Sequence, residues 1–531
     1  MIIDGDLLDN GTIIDTQVCI VGGGGAGITL ALELQKRLSD VVLLESGGEQ
    51  YTPEAQQLYE AAKKADDYPD PSFSRLRFLG GATNHWANNT SPLDPIDFER
   101  RDWVPHSGWP ITYQDLDDYY RRAGSYCGVG EDGYDTDYWV RQLGMQDVVA
   151  KSTMLETGMA KASSPPVRFY TEFKQGLKDS ASIRVYMHAN FVDTSVNEDG
   201  VVTEVIFKSL RDPGKTHKVR ARTVVFCMGG LENARMLLHI NRNHSGAIGN
   251  SGDNIGRYFM DHPLPRAAVY HAKDKNLYDL YQGYNFPNRM VLGFFKIPRE
   301  QLISNQLNNL RMPLSPASNY LLSDGISSYH LLTASLERGE LIDNFGMHVA
   351  NIFSDADMVG EAISRRVFDK KIFARAQEFG GFNIPMTMEQ TPDRDNRVEL
   401  SDVTDRFGIP QIALSWRVTQ DDKDRLWRSL EFVARGVGAA SLGRLRLLRE
   451  REDRMWASQL GFGHHHMGTT RMAETASAGV VDRNHKVFGS KNLYMAGSSV
   501  FSTGGHVPPT LTIVALSIRL AEHLAQEVNN A

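Results

Sequence analysis

"QVCIVGGGGAGITLALELQKRLSDVVLLESGG", residues 17–48, decides the fold class. The apolar run Val18–Val21 meets a glycine cluster, Ile28, Ala31, Leu34 and Leu38 recur at helical spacing, and a second apolar run, Val41–Leu44, ends at Glu45. That order is strand, turn, helix, strand: a βαβ unit. Gly22, Gly24 and Gly27 match G-x-G-x-x-G. The first glycine permits the tight turn, the second lets backbone approach a pyrophosphate, and the third lets helix pack on strand. The pyrophosphate then meets free N–H groups at the helix N-terminus, formed here by Gly25 and Ala26. Glu45 stands roughly 20 residues on, beside Ser46, where an acid can hold ribose hydroxyls. These residues predict an α/β, Rossmann-like dinucleotide site. The glycines alone do not separate NAD from FAD.

Outward from this unit, the chain has 531 residues, 41% hydrophobic and 23% charged, enough for more than one domain. A formal net charge of −8 disfavours nucleic acid or an anionic membrane as the main partner. The three cysteines, Cys19, Cys127 and Cys227, form neither a disulfide framework nor a metal-ligand spacing. The N-terminus carries acids where a signal peptide has bases, and no stretch reaches the roughly 18 apolar residues of a spanning helix. A cytoplasmic protein is the expectation.

Short alternating strands are expected in "SIRVYMHANFVDTSV" and "VVTEVIFKSL", a buried strand in "ARTVVFCMGG", and alternation again in "FNIPMTMEQ" around Ile384. A helix should start after Thr419, with Asp422 completing a capping box and Leu426, Leu430, Val433 and Val437 as its apolar stripe. The last helix should begin near Pro508-Pro509 and run to about Leu524.

"GFGHHHMGTTRM", residues 461–472, poses a different question. If the segment is extended, His464 and His466 share one face and His465 points opposite. A metal site needs further ligands, and no partner cluster is apparent, so no metal is expected.

Several separated segments resemble the glucose–methanol–choline (GMC) flavoprotein oxidoreductases. Besides the glycine fingerprint they are "FLGGATNHWA" (78–87), "VVFCMGGLENARMLL" (224–238), "NIGRYFMDHP" (254–263), "EQTPDRDNRVEL" (389–400), "HHMGTTRM" (465–472) and "NLYMAGSSVFSTGGHVPPTLT" (492–512). Within the family the chain looks similar to the bacterial branch of pyranose oxidases and sugar dehydrogenases. The resemblance implies FAD as cofactor. It implies a Rossmann-like FAD-binding domain built from residues 1–95, 179–263 and 456–531. A cap insertion at 96–178 and a substrate domain at 264–455, with an antiparallel sheet and helices, complete the expected division.

The resemblance also implies roles. His465 matches the catalytic histidine, the base near the substrate hydroxyl. The family's second catalytic slot, a histidine or asparagine, falls here on Pro508, which can neither donate nor accept through its side chain. His506, two residues earlier, is the candidate substitute, with an ordinary loop histidine as the other reading. Gly80, Gly81, Asn84, His85 and Trp86 match the segment passing the flavin's dimethylbenzene and N5 side. His85 is either a covalent anchor, as in some pyranose oxidases, or a non-covalent contact. Gly497 and Ser498 lie where the family's chain crosses the cofactor. Pro509 and Thr510 open the last helix, whose N-terminus points at the flavin's pyrimidine edge in the family. The implied reaction is oxidation of an alcohol carbon of a sugar, glycoside or related polyol. Electrons then pass to oxygen or a quinone-like acceptor. A non-redox lyase on the same scaffold is the alternative, because of Pro508.

Overall fold

The protein is described by a computed structural model covering residues 1–65, 68–244, 248–339, 342, 344–448 and 460–530. The expected boundary between residues 455 and 456 lies outside the described residues.

The main sheet has eight strands: β1 (Ile2–Asp4), β2 (Ile13–Val21), β3 (Val41–Leu44), β4 (Ile183–Met187), β5 (Asn190–Val196), β6 (Val202–Lys208), β7 (Thr216–Phe226) and β8 (Leu493–Met495). Their order is β1-β4-β3-β2-β7-β6-β5, and β8 joins the far end of β7. β1, β4, β3, β2, β7 and β8 run parallel, and only β6 and β5 are antiparallel additions. The apolar runs read from the sequence are the fully buried parts of this sheet. Val18, Ile20, Val41 and Leu43 have no exposed surface, as a parallel sheet covered on both faces requires.

The βαβ unit forms as the periodicity predicts. Helix α1 (Gly25–Leu34) follows β2 and is buried from Ala26 to Leu34. It packs against the C-terminal helix Thr510–Asn530, which starts just after Pro509 and runs further than its apolar pattern suggests. Register sets Val21, Leu44, Phe226 and Met495 at one edge of the sheet. The chain leaves every central strand there, and a ligand crevice belongs at that carboxyl edge.

The stretch 183–196 forms short strands as expected, two of them, with His188 at φ 54° between them. Two further four-stranded sheets are antiparallel. One pairs Tyr284–Asn285, Arg289–Lys296, Glu156–Ser163 and Asn89–Thr90. The other pairs Ser315–Ser318, Phe379–Asn383, Ala268–Ala272 and Gly443–Leu447. A second core, with Trp139, Tyr270, Tyr278, Phe295 and Phe382, fills the space beneath them. Helix Gln420–Ala439 contributes Leu426, Leu430, Val433 and Val437 to it and carries the expected Thr419/Asp422 capping box.

Candidate active site

A cleft of about 560 Å³ opens at the carboxyl edge of the main sheet. Gly22, Gly24, Gly25, Ala26 and Glu45 line one part of it. Gly81, His85 and Trp86 line another, and Gly497, Ser498, Pro509, Thr510 and His465 complete it among the expected residues. Gly27, Ser46, Gly80, Asn84 and His506 do not line this cleft.

Those five have other work. A Cβ on Gly27 would stand 1.9 Å from the Gly22 carbonyl oxygen, so only glycine allows helix α1 to sit this close to the turn. Gly22 takes φ 110° in that turn. Gly80 donates its N–H to the Gly23 carbonyl at 2.8 Å, and Asn84 Nδ2 donates to the Leu79 carbonyl at 2.9 Å, which fastens the 80–84 turn beside the glycine loop. The Ser46 hydroxyl donates to Glu45 Oε1 at 3.2 Å. Glu45 itself accepts from the N–H of Gly23 and of Gly47, both at 2.8 Å, and so braces the two turns while its carboxylate borders the cleft.

The cleft has the shape a bound dinucleotide needs. A Cβ placed on Gly24 or Gly497 would meet no protein atom within 4 Å, so both positions present bare backbone to open space. The first turn of the 21-residue helix Thr510–Asn530 faces the cleft through Thr510 and Ile513. Its free N–H groups suit a ligand's negative charge.

His465 borders the same cleft, and two chain segments fix it. Met260 and Met467 exchange backbone hydrogen bonds of 3.0 Å, which lays residues 258–264 along the histidine segment. Asp261 Oδ1 accepts the backbone N–H of His262 at 2.6 Å and of His465 at 2.7 Å. Its Oδ2 accepts the Tyr68 hydroxyl at 2.6 Å. The imidazoles of His262 and His465 meet edge to face, with Nδ1 to Nδ1 at 2.7 Å.

This contact decides both tautomers. His262 Nε2 lies 3.0 and 3.2 Å from the carbonyl oxygens of Gly505 and Gly504. Carbonyls only accept, so His262 carries its proton on Nε2 and offers a lone pair at Nδ1. His465 must then donate from Nδ1. Its Nε2 is left unprotonated, with no hydrogen bond among the described residues. Burial pushes the His465 imidazole well below its ordinary basicity, and neighbouring His262, His466, His464 and Arg311 lower it further. The group is a neutral base at physiological pH.

The other histidines divide differently from the expected alternation. His464 takes φ 56°, a left-handed conformation that breaks the extended run, and all three histidines line the cleft. His466 is buried against Tyr68 and Phe259, its Nε2 3.4 Å from Ser74 Oγ. His85 Nε2 lies 3.2 Å from the Ser74 carbonyl, which puts its proton on Nε2 and leaves Nδ1 bare. His506 is 1% exposed, and its Nε2 lies 3.2 Å from Asp94 Oδ2. No described contact joins it to His465. The residue paired with His465 is His262, which the sequence reading passed over. Its signal was the "MDHP" stretch, quoted for resemblance without a role. Among the described residues, the one cluster of three close carboxylate and histidine ligands is Asp4, Asp6 and His188, at the β1 edge of the sheet. Arg211 Nε pairs with Asp6 there at 3.1 Å.

Residues 392–517 match the family model for GMC oxidoreductases. The chain carries a GMC oxidoreductase domain. It is 24% identical to a 2-methyl-1,2-propanediol dehydrogenase of Mycolicibacterium austroafricanum, over 97% of this chain and 96% of that one. To the large subunit of a fructose dehydrogenase of Gluconobacter japonicus it is 21% identical, over 97% and 98%. In fold it is similar to a formate oxidase of Aspergillus oryzae RIB40, studied for modification of its FAD. The TM-score is 0.56 at 16% identity, over 98% of this chain and 100% of that one. The glycine cradle, Glu45 and the N-terminus of the last helix are the parts of the cleft that fit FAD, the cofactor the family resemblance implies. Among the described residues no helix is long and apolar enough to cross a membrane.

Proposed function

We propose that this protein oxidises an alcohol carbon of a sugar, glycoside or related polyol, with His465 as the base. The observation that carries the reading is the unprotonated Nε2 of His465 in the cleft, held there by His262. FAD, when bound, supplies the hydride acceptor. The chain supplies the proton chemistry. His465 Nε2 takes the hydroxyl proton, while Nδ1 keeps its hydrogen bond to His262. The backbone grip of Asp261 on both histidines holds the two rings in place through that transfer. Burial makes the resulting imidazolium unfavourable, so it readily releases the proton and the base is regenerated.

In this reading His506 is a buried, neutral loop histidine beside Asp94, and Pro508 shapes the loop before the last helix. The FAD-binding part is drawn from residues 1–95, 179–263 and 456–531, a division supported by the strands of the main sheet, which come from residues 2–44, 183–226 and 493–495. Anaerobic mixing with a panel of sugars, glycosides and other polyols tests the proposal. Bleaching of the flavin by at least one of them is expected. A flavin that stays oxidised with all of them would overturn it.

A further inference from the structure

Arg311 lies in the two-residue strand Leu310–Arg311, paired with Thr387–Met388. Its side chain is buried, and the residue is 3% exposed. Nη1 donates to Asn89 Oδ1 at 3.0 Å, and Nε is buried with no hydrogen-bond partner. The guanidinium rests over the Phe294 ring, 4.6 Å from its centre. Among the described residues no carboxylate comes within ion-pair distance. Two other buried arginines are answered, Arg101 by Glu389 at 2.5 Å and Arg235 by Glu232 and Asp405 at 2.9 and 2.6 Å, whereas Arg471, also buried without a carboxylate among the described residues, donates to the His106 carbonyl.

The position of this lone charge matters as much as its isolation. Asn89, the residue it holds, lines the same cleft as His465, with Arg311 behind it. Phe294, beneath it, meets the His506 ring edge to face at 5.9 Å. Burial first sets the low basicity of His465 and His506, and the Arg311 charge lowers both a little further. Burial draws the guanidinium down to about 10, so it still carries its full charge at neutral pH. A buried cation with no partner is costly in the empty protein, and a ligand anion removes that cost. The guanidinium fork suits a carboxylate or phosphate.

We propose that Arg311 binds an anionic group of the substrate, so that the alcohol oxidised here is an acid: a polyol bearing a carboxylate or a phosphate. This rests on the alcohol-oxidation reading for the reaction but not for the binding. The alternative use of the charge, stabilising alkoxide character at the reacting oxygen, would serve neutral polyols equally well.

Binding to the oxidised holoenzyme separates these possibilities. The probes are sorbitol, gluconate and 6-phosphogluconate, followed by calorimetry and by perturbation of the flavin spectrum. Tighter binding of an acid than of sorbitol is expected, with the carboxylate and phosphate arms telling which anion is preferred. Arg311→Met should weaken the preferred acid by roughly 10–150-fold, as loss of a charge-assisted contact implies, and leave sorbitol unchanged. Arg311→Lys should recover part of the loss. Equal binding of acid and neutral probes by the wild-type protein overturns the inference, and this arm stands even if Arg311→Met does not fold. An equal effect of Arg311→Met on both probes overturns it as well. If acids bind through Arg311 yet no polyol bleaches the flavin, the reaction fails and the anion site survives. If neutral polyols bleach it and acids gain nothing, the reverse holds.

Discussion

At the scale of single residues, the proposed reaction divides one task between two imidazoles: His465 would accept the proton, and His262 would set which nitrogen accepts it. His465→Ala should leave FAD bound and slow its reduction by about 10²–10⁴-fold, the usual contribution of a general base. Stopped-flow absorbance measures this, and an unchanged rate would remove His465 from the chemistry. The pH dependence has a definite sign. The active form is the unprotonated one, and burial places the group's titration well below the ordinary histidine range. Reduction should therefore be level across neutral pH and decline only in acid. A rise centred near pH ~6.5, the ordinary histidine value, would mean the base is a solvated group instead. His465 was legible because its neighbours on both sides form a recognisable segment. His262 was not, because the two rings are brought together by a backbone pairing between distant stretches, Met260 with Met467, that no local pattern announces.

Elements add constraints that composition hides. In the turn between β2 and α1 the glycines look interchangeable in sequence and are not so in space. Gly27→Ala would drive a methyl into the Gly22 carbonyl, at 1.9 Å, and must push helix α1 off the sheet. Gly24→Ala would meet no protein atom within 4 Å and only occupy the cradle. The expected outcome is a split: Gly27→Ala yields little folded protein, whereas Gly24→Ala folds normally and retains much less FAD. Far-UV circular dichroism and the flavin-to-protein absorbance ratio check the two halves. Full FAD occupancy in Gly24→Ala would mean the cofactor does not approach this backbone. The same scale shows where pattern reading failed. Alternation along "HHH" assumes extended backbone, and the left-handed His464 cancels it. The capping box at Thr419 was legible because its side-chain bonds are local, between Thr419 and Asp422 three residues on.

For the whole molecule, the parallel core was legible from its apolar runs, while an antiparallel sheet was expected only through the resemblance and most of its strands left no local pattern. Its strands come from residues 89–90, 156–163 and 284–296, and long-range pairings of that kind leave no periodic trace. The same long-range packing buries histidines in number: His262, His465, His466, His485 and His506 are all held below ordinary basicity, first by burial. An unfolded histidine titrates near ~6.5. Below that value the unfolded chain takes up protons that the folded protein refuses, so stability is full above pH ~6.5 and falls as pH drops. For His485 the loss continues down through about 3. Each such group steepens the decline by up to about 1.4 kcal/mol per pH unit. His485 is a clean reporter, since it lies outside the cleft lining, its Nδ1 donates to the Met495 carbonyl at 2.9 Å, and its Nε2 is buried without a partner. It takes φ 70°, a conformation asparagine tolerates well. His485→Asn removes one suppressed proton site and should make the holoenzyme's thermal midpoint fall less between about pH 7.5 and pH 5 than in the wild type, whatever it costs at the higher pH. Parallel declines in the two proteins would show that His485 titrates normally in the folded state and that its burial does not govern acid stability.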